Sequence, residues 1–269
     1  MSAPQRRPAD APPADAAGAS WLRRLWNQFG TLLMAVLIAL SIRAFVIEPY
    51  RIPSESMLPT LLVGDHLFVN KFVYGIKIPF TDLRLPGLRE PRRGDVVVFD
   101  VARDRWGGIY PVDLRPELPE DRFVKRIVGV PGDTIEVRNG QLHVNGEPVP
   151  VEWSDETVVD EDGRTLRIGE ETLNGRRHRI ADDPRHGGPS RAPITLEPGR
   201  YFLMGDNRDY SNDSRSWGTV RLADMKGPAF VLYWSWNWNG SWAELLNPLT
   251  WWRLFTQEMR WERIGDGIR

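Results

Sequence analysis

Apolar residues dominate the chain from Trp21 to Ile47: Leu32 to Leu40 is uninterrupted, and Phe29 to Ile42 is broken only by Gly30, Thr31 and Ser41. That run gives roughly 20 residues, the length of a membrane-spanning helix, if Arg43 snorkels to the interface. A cleaved secretion signal and a buried core helix remain open alternatives, because Ala39-Leu40-Ser41 has a small-x-small form. Two features argue against cleavage: the region before the apolar run is long for a secretion signal, and a serine-containing motif follows too closely to leave a linker. Beyond Tyr50 the pattern shortens. Val96-Val97-Val98-Phe99 and Phe123 to Val130 read as core strands, while Asn139-Gly140 and Asn145-Gly146 sit between short alternating runs as hairpin turns. No helix-length periodic segment interrupts them, so the predicted fold is mostly β, an antiparallel sheet domain behind one N-terminal transmembrane helix.

The same patterning divides the chain. Residues 1–20 are rich in Ala, Pro and Asp without apolar periodicity and read as a disordered tail. Residues 21–47 form the anchor and 48–269 the folded domain. Within that domain, residues about 134–200 are more polar and read as an insertion of hairpins and loops, an improbable home for catalytic groups. The end of the chain is different again, since seven of the twelve tryptophans fall between Trp234 and Trp261. Tryptophan favours the bilayer interface, so this segment is read either as a core strand, Phe230 to Trp236, followed by an aromatic cluster, or as a second membrane contact centred on Leu245 to Phe255.

Charge sets the orientation. Arg6, Arg7, Arg23 and Arg24 precede the apolar run, which places the N-terminus in the cytoplasm and the domain on the outer, periplasmic face. A formal net charge of −1 gives no reason to expect a nucleic-acid partner. With no cysteine, disulfides, thiol catalysis and cysteine-ligated metal are excluded.

Candidate chemistry begins at Pro53-Ser54-Glu55-Ser56-Met57-Leu58-Pro59-Thr60-Leu61, a few residues after the apolar run. A serine hydroxyl needs a neighbouring base before it becomes a useful nucleophile. The four histidines are weak candidates, because His143, His178 and His186 lie in the insertion and His66 has no G-x-S-x-G elbow to partner. Lysine is the alternative, provided burial lowers its pKa from ~10.4 by a few units at ~1.4 kcal/mol each. Only four of the 35 basic residues are lysines, and Lys125 alone stands among apolar neighbours, in Phe123-Val124-Lys125-Arg126-Ile127-Val128. Lys71, Lys77 and Lys226 sit beside loops or polar residues. On these residues alone, Lys125 and Arg126 as plain surface residues on a strand edge is the favoured reading. A third segment, Gly205-Asp206-Asn207-Arg208-Asp209-Tyr210-Ser211-Asn212-Asp213-Ser214-Arg215, is a polar or calcium-type loop when taken alone, without the spacing or terminal glutamate of an EF-hand.

These blocks, with Gly64-Asp65, Arg93-Gly94-Asp95 and Gly132-Asp133 in the same order, resemble bacterial type I signal peptidases, membrane-anchored Ser-Lys proteases. The resemblance covers residues 30–133 and 200–237. It implies an enzyme that removes N-terminal signal peptides from exported preproteins after small-x-small sites, at the cytoplasmic membrane near the export translocon, with neither cofactor nor metal. It implies Ser56 as nucleophile and Lys125 as general base, with the Ser54 hydroxyl and the Ser56 N–H as oxyanion hole. Ser211 would orient the lysine, and Asp206 with Arg126 and Asp213 with Arg215 would support the site. Tyr50, Ile52, Pro53, Leu61, Phe123 and Val124 would line pockets for small residues. Two positions depart from the enterobacterial pattern: Glu55 stands for a glycine between the serines, and Tyr210 for an asparagine before Ser211. A self-cleaving regulator with the same dyad would carry a DNA-binding domain, which residues 1–48 do not resemble. A non-catalytic membrane-anchored module would leave Ser54, Ser56, Lys125 and Ser211 without a purpose.

Overall fold

A computed structural model describes residues 15–76, 84–237 and 247–268. The chain divides into two compact units at Phe45/Val46. The first holds helix α1 (Asp15–Phe45), which begins six residues before the apolar run. Leu32, Leu33, Met34, Val36, Leu37, Ile38, Leu40 and Ile42 are all exposed on it. Among the described residues no helix is long and apolar enough to cross a membrane.

The second unit is built from antiparallel strands. In chain order they are β1 (Ile47–Arg51), β2 (Asp65–Asn70), β3 (Val96–Arg103), β4 (Ile109–Tyr110), β5 (Glu120–Gly129), β6 (Thr134–Arg138) and β7 (Gln141–Val144). There follow β8 (Glu147–Pro148), β9 (Val151–Val159), β10 (Thr165–Leu173), β11 (Arg176–Asp182) and β12 (Arg191–Thr195). The last are β13 (Arg200–Met204), β14 (Val220–Arg221) and β15 (Met225–Ser235). Two short helices, α2 (Ser214–Trp217) and α3 (Pro248–Arg253), complete the described elements used below.

The main sheet runs β1-β2-β15-β3-β5-β13-β14, with β4 beside β3. Its central strand β3 shows why a continuous apolar run suits this place. Val96 and Val98 enter one core cluster with Leu61, Leu67 and Leu232, while Val97, Phe99 and Val101 enter another with Ile127, Tyr201 and Leu203. Successive side chains of a strand point to opposite faces, so a strand covered on both sides has no polar face to show. Each such side chain contributes about 1.5–3 kcal/mol when fully buried.

Residues 134–200 are more ordered than their composition suggests. They supply two further sheets, β12-β6-β7-β8 and β11-β10-β9. Both expected Asn-Gly turns form, with positive φ at Asn139, Gly140, Asn145 and Gly146, and a third joins β10 to β11 at Asn174-Gly175.

At the C-terminal end Trp234 meets Trp236 and Phe255 edge-on, and Phe255 stacks on Trp251 and Trp261. Trp251, Trp252 and Trp261 are exposed. The segment therefore begins as a strand in β15 and continues as an aromatic cluster; Trp238, Trp242 and Leu245 lie outside the described residues.

Candidate active site

β5 lies between β3 and β13, with Lys125 opposite Val97, and Arg126 opposite Val96 on one side and Met204 on the other. It is an interior strand, so the exposed-edge reading of Lys125 and Arg126 does not hold. Lys125 is 3% and Arg126 1% exposed. The turn after β1 brings Ser56 to this strand, and Lys125 Nζ is 2.5 Å from Ser56 Oγ. Burial drives the lysine pKa down from 10.5 to about 8, partly offset by the negative charges of Asp213 and Asp206, while Arg215 pushes it lower. An amine in this state spends much of its time neutral near pH 8, and a neutral amine beside a hydroxyl can take its proton.

The other lysines are placed differently. Lys71 pairs with Glu48 and Lys226 with Asp100, both partly exposed; Lys77 lies outside the described residues. Nor does any histidine reach Ser56. His66 packs against Tyr233 and Trp236, His143 contacts the Gln141 carbonyl, His178 faces Glu171, and His186 meets Asp183 and Tyr210.

Around the Ser56–Lys125 contact the supporting pairs close as charge complementarity requires. Arg126 donates from Nε and Nη2 to the two carboxylate oxygens of Asp206 at 2.8 and 2.7 Å, and from Nη1 to the Gly94 carbonyl at 2.8 Å. Asp213 accepts from Arg215 Nε and Nη2, both at 2.8 Å, and from the Gly205 N–H at 2.9 Å. Two-pronged guanidinium–carboxylate pairs fix orientation as well as charge. Gly205 is required for a steric reason: a Cβ there would stand 2.3 Å from both Ser211 Oγ and the Ser56 carbonyl oxygen. The Ser54–Ser56 loop is held from the same side, since the Asn207 N–H donates to Ser56 O and Asn207 Nδ2 to Glu55 O, each at 3.2 Å.

Ser54 Oγ is 3.4 Å from Ser56 Oγ. Ser211 lies in the same neighbourhood, but its hydroxyl is buried with no hydrogen-bond partner among the described residues. The bond to Lys125 that the resemblance implies is not made in this structure.

A cleft of about 480 Å³ opens over the two residues. Tyr50, Ile52, Pro53, Phe123 and Val124 line it, together with Ser54, Ser56 and Lys125. Leu61 does not; it is fully buried in the core with Met57, Leu67 and Val98, because the turn carrying the serine points it inward. Residue reasoning missed Arg103, Asp121, Arg122 and Met57, which also line the cleft. The first three sit on β3 and β5 beyond the apolar stretch, where alternation alone does not say which strand end borders a groove. Tyr210 and Asn212, from the loop after β13, form a further wall.

A buried amine against a serine hydroxyl at the floor of a cleft is the equipment of a serine hydrolase that works without histidine. Comparison with known proteins gives the family. Residues 25–234 match the family described as signal peptidase, peptidase S26. The chain is 38% identical to a signal peptidase I of Pseudomonas aeruginosa, over 78% of this chain and 72% of the relative. It is 32% identical to a signal peptidase I of Aquifex aeolicus, over 83% and 90%. A solved signal peptidase I from Enterococcus faecalis is 25% identical over 52% of this chain and 97% of its own, with a TM-score of 0.29, too low to bear on the fold. The chain belongs to the signal peptidase I family and is a serine peptidase.

Proposed function

We propose that the chain removes N-terminal signal peptides with Ser56 as nucleophile and Lys125 as general base. The observation that carries this reading is the 2.5 Å contact between Lys125 Nζ and Ser56 Oγ, with the amine buried and its pKa lowered to about 8.

In the proposed cycle, neutral Lys125 accepts the Ser56 proton as Oγ attacks the carbonyl carbon of the residue before the cut. The resulting oxyanion accepts hydrogen bonds from the Ser54 hydroxyl and the Ser56 N–H, donors placed where charge develops only in the transition state. As the carbon–nitrogen bond breaks, the Lys125 ammonium gives its proton to the departing amine and leaves an ester on Ser56. Water, deprotonated by the same lysine, then releases the signal peptide as a carboxylate. Ser211 is proposed to turn toward the lysine during this cycle, its unpaired hydroxyl being free to do so. Small residues before the cut suit a groove whose walls are Tyr50, Ile52, Pro53, Phe123 and Val124.

Membrane attachment through α1 belongs to the proposal as well. Its support is the stretch of exposed apolar side chains from Leu32 to Ile42 and the arginines that precede it in the sequence. The domain of residues 46–269 then works on the outer face, within reach of an emerging preprotein and close to the translocon.

Cleavage of a labelled preprotein in detergent tests the whole reading. Wild type should cut after a small-x-small sequence, located by product mass, and Ser56→Ala and Lys125→Ala should be folded and inactive. Substantial activity in either variant removes that residue from its role.

A further inference from the structure

Glu55 and Tyr210, the two positions at which the chain departs from the pattern it resembles, are both held by one hairpin turn. β9 and β10 are joined by residues 160–164, where the Gly163 N–H donates to the Asp160 carbonyl at 3.0 Å and the Asp160 N–H to the Arg164 carbonyl at 3.1 Å. From this turn the Glu161 N–H donates to Glu55 Oε1 at 2.9 Å. Arg164, fixed by its Nε on Asp160 at 2.5 Å, lays its guanidinium 3.6 Å over the centre of the Tyr210 ring. The Tyr210 hydroxyl donates to Asp183 at 2.9 Å, and its ring packs against Leu166, Ile168 and Ala181. The same sheet is stitched to the neighbouring loop backbone: Ala181 N–H donates to the Asp206 carbonyl at 2.9 Å and Arg208 N–H to the Ala181 carbonyl at 2.8 Å.

We infer that the β9–β10 turn braces the cleft, holding the Ser54–Ser56 loop through Glu55 and the opposite wall through Tyr210, so that both are positioning residues for cleavage. The inference rests on the Ser56 reading above. A glycine at position 55 would have no side chain to reach Glu161, and an asparagine at position 210 has no ring for Arg164 to cover. The brace therefore depends on side chains that the resembled pattern lacks at these two sites. Its consequence is separable: the serine loop governs how often bound substrate reacts, and the Tyr210 wall governs which bond is presented. Displacing a nucleophile by a fraction of an ångström lowers turnover without weakening binding.

The bond can be cut from either end. Glu161 is the second residue of its turn, a position proline favours, so Glu161→Pro deletes the donated N–H and keeps the hairpin. Glu55→Ala deletes the acceptor, and Glu55→Gln keeps an acceptor oxygen. Cleavage of the labelled preprotein should show kcat lowered about tenfold in Glu161→Pro and in Glu55→Ala, KM within about twofold, and the double variant no worse than either single one. Glu55→Gln should restore most of kcat. Tyr210→Asn should add secondary cuts, seen by product mass. Wild-type kcat in Glu161→Pro overturns the brace; if that variant fails to fold, equal activity of Glu55→Ala and Glu55→Gln overturns it. Ser56→Ala in the same assay separates the two readings, since activity there refutes the nucleophile while leaving the hairpin contacts intact.

Discussion

Arg126 and Asp206 stand 80 residues apart in sequence and meet as a two-pronged pair with each residue 1% exposed. The pair joins β5 to the loop after β13, and so sets the position of Lys125, the residue before Arg126, relative to the Gly205–Ser211 segment. Burial acts against ionisation of Asp206, yet the Arg126 charge and hydrogen bonds win and hold its carboxyl below the usual range.

Breaking this pair from one side strands a buried charge, which costs about 3–5 kcal/mol. Asp206→Ala should lower the melting temperature by many degrees. It should also move the titration of Lys125 to lower pH, because the Asp206 charge favours the lysine cation. Calorimetry and a pH–rate profile check the two effects separately.

With Lys125 as the proposed general base, activity should rise with pH. The base must be neutral, and its pKa is about 8, so kcat/KM should climb tenfold per unit below that value and level off above it. An unshifted limb near ~10.4 would refute the desolvated lysine. Lys125→Arg should be inactive across the range, because a guanidinium stays charged.

The same shift lowers stability below pH 8. Between about 8 and 10.5 the unfolded lysine holds a proton that the folded one has lost, so stability rises with pH through that window. Below it the protein carries a buried ammonium at a cost of about 3 kcal/mol. Lys125→Met should therefore be inactive yet more stable than wild type to urea at pH 7.

Gly205→Ala should fold and fail to cut. The added methyl would collide with Ser211 Oγ and the Ser56 carbonyl at 2.3 Å, and a misplacement of this size near the chemistry costs about a hundredfold. A variant with near wild-type turnover and an intact melting curve would show that the loop can yield.

Much of this was legible in the residues. Val96 to Phe99 and the Asn139-Gly140 and Asn145-Gly146 turns carry local signals, an apolar run and a positive-φ pair, that need no tertiary information. Asn174-Gly175 carries the same signal, but charged residues surround it in place of the alternating apolar runs that mark a hairpin. Lys125 stood out by its apolar neighbours, but its choice over a strand-edge residue needed either the family pattern or the pairing of β5 on both sides. Leu61 shows the limit: a residue five places from Ser56 lines the core, and only the turn's path decides it. The turns of 134–200 announced hairpins, but its polar composition hid that they join into two sheets, because strands with one exposed face carry too few apolar residues to show which of them pair.

The separation of the working parts along the chain bears on when the enzyme becomes active. Lys125 reaches Ser56 across 69 residues, and Asn207 reaches the carbonyl of Glu55 across 152. Contacts so far apart in sequence close late, after the loops between them have lost their freedom. A ribosome-bound or half-folded chain thus carries a serine with no base beside it. If Ser56 and Lys125 act as proposed, the protease switches on only when its sheet is complete, which spares its own unfolded copies and their neighbours from a nucleophile armed too early.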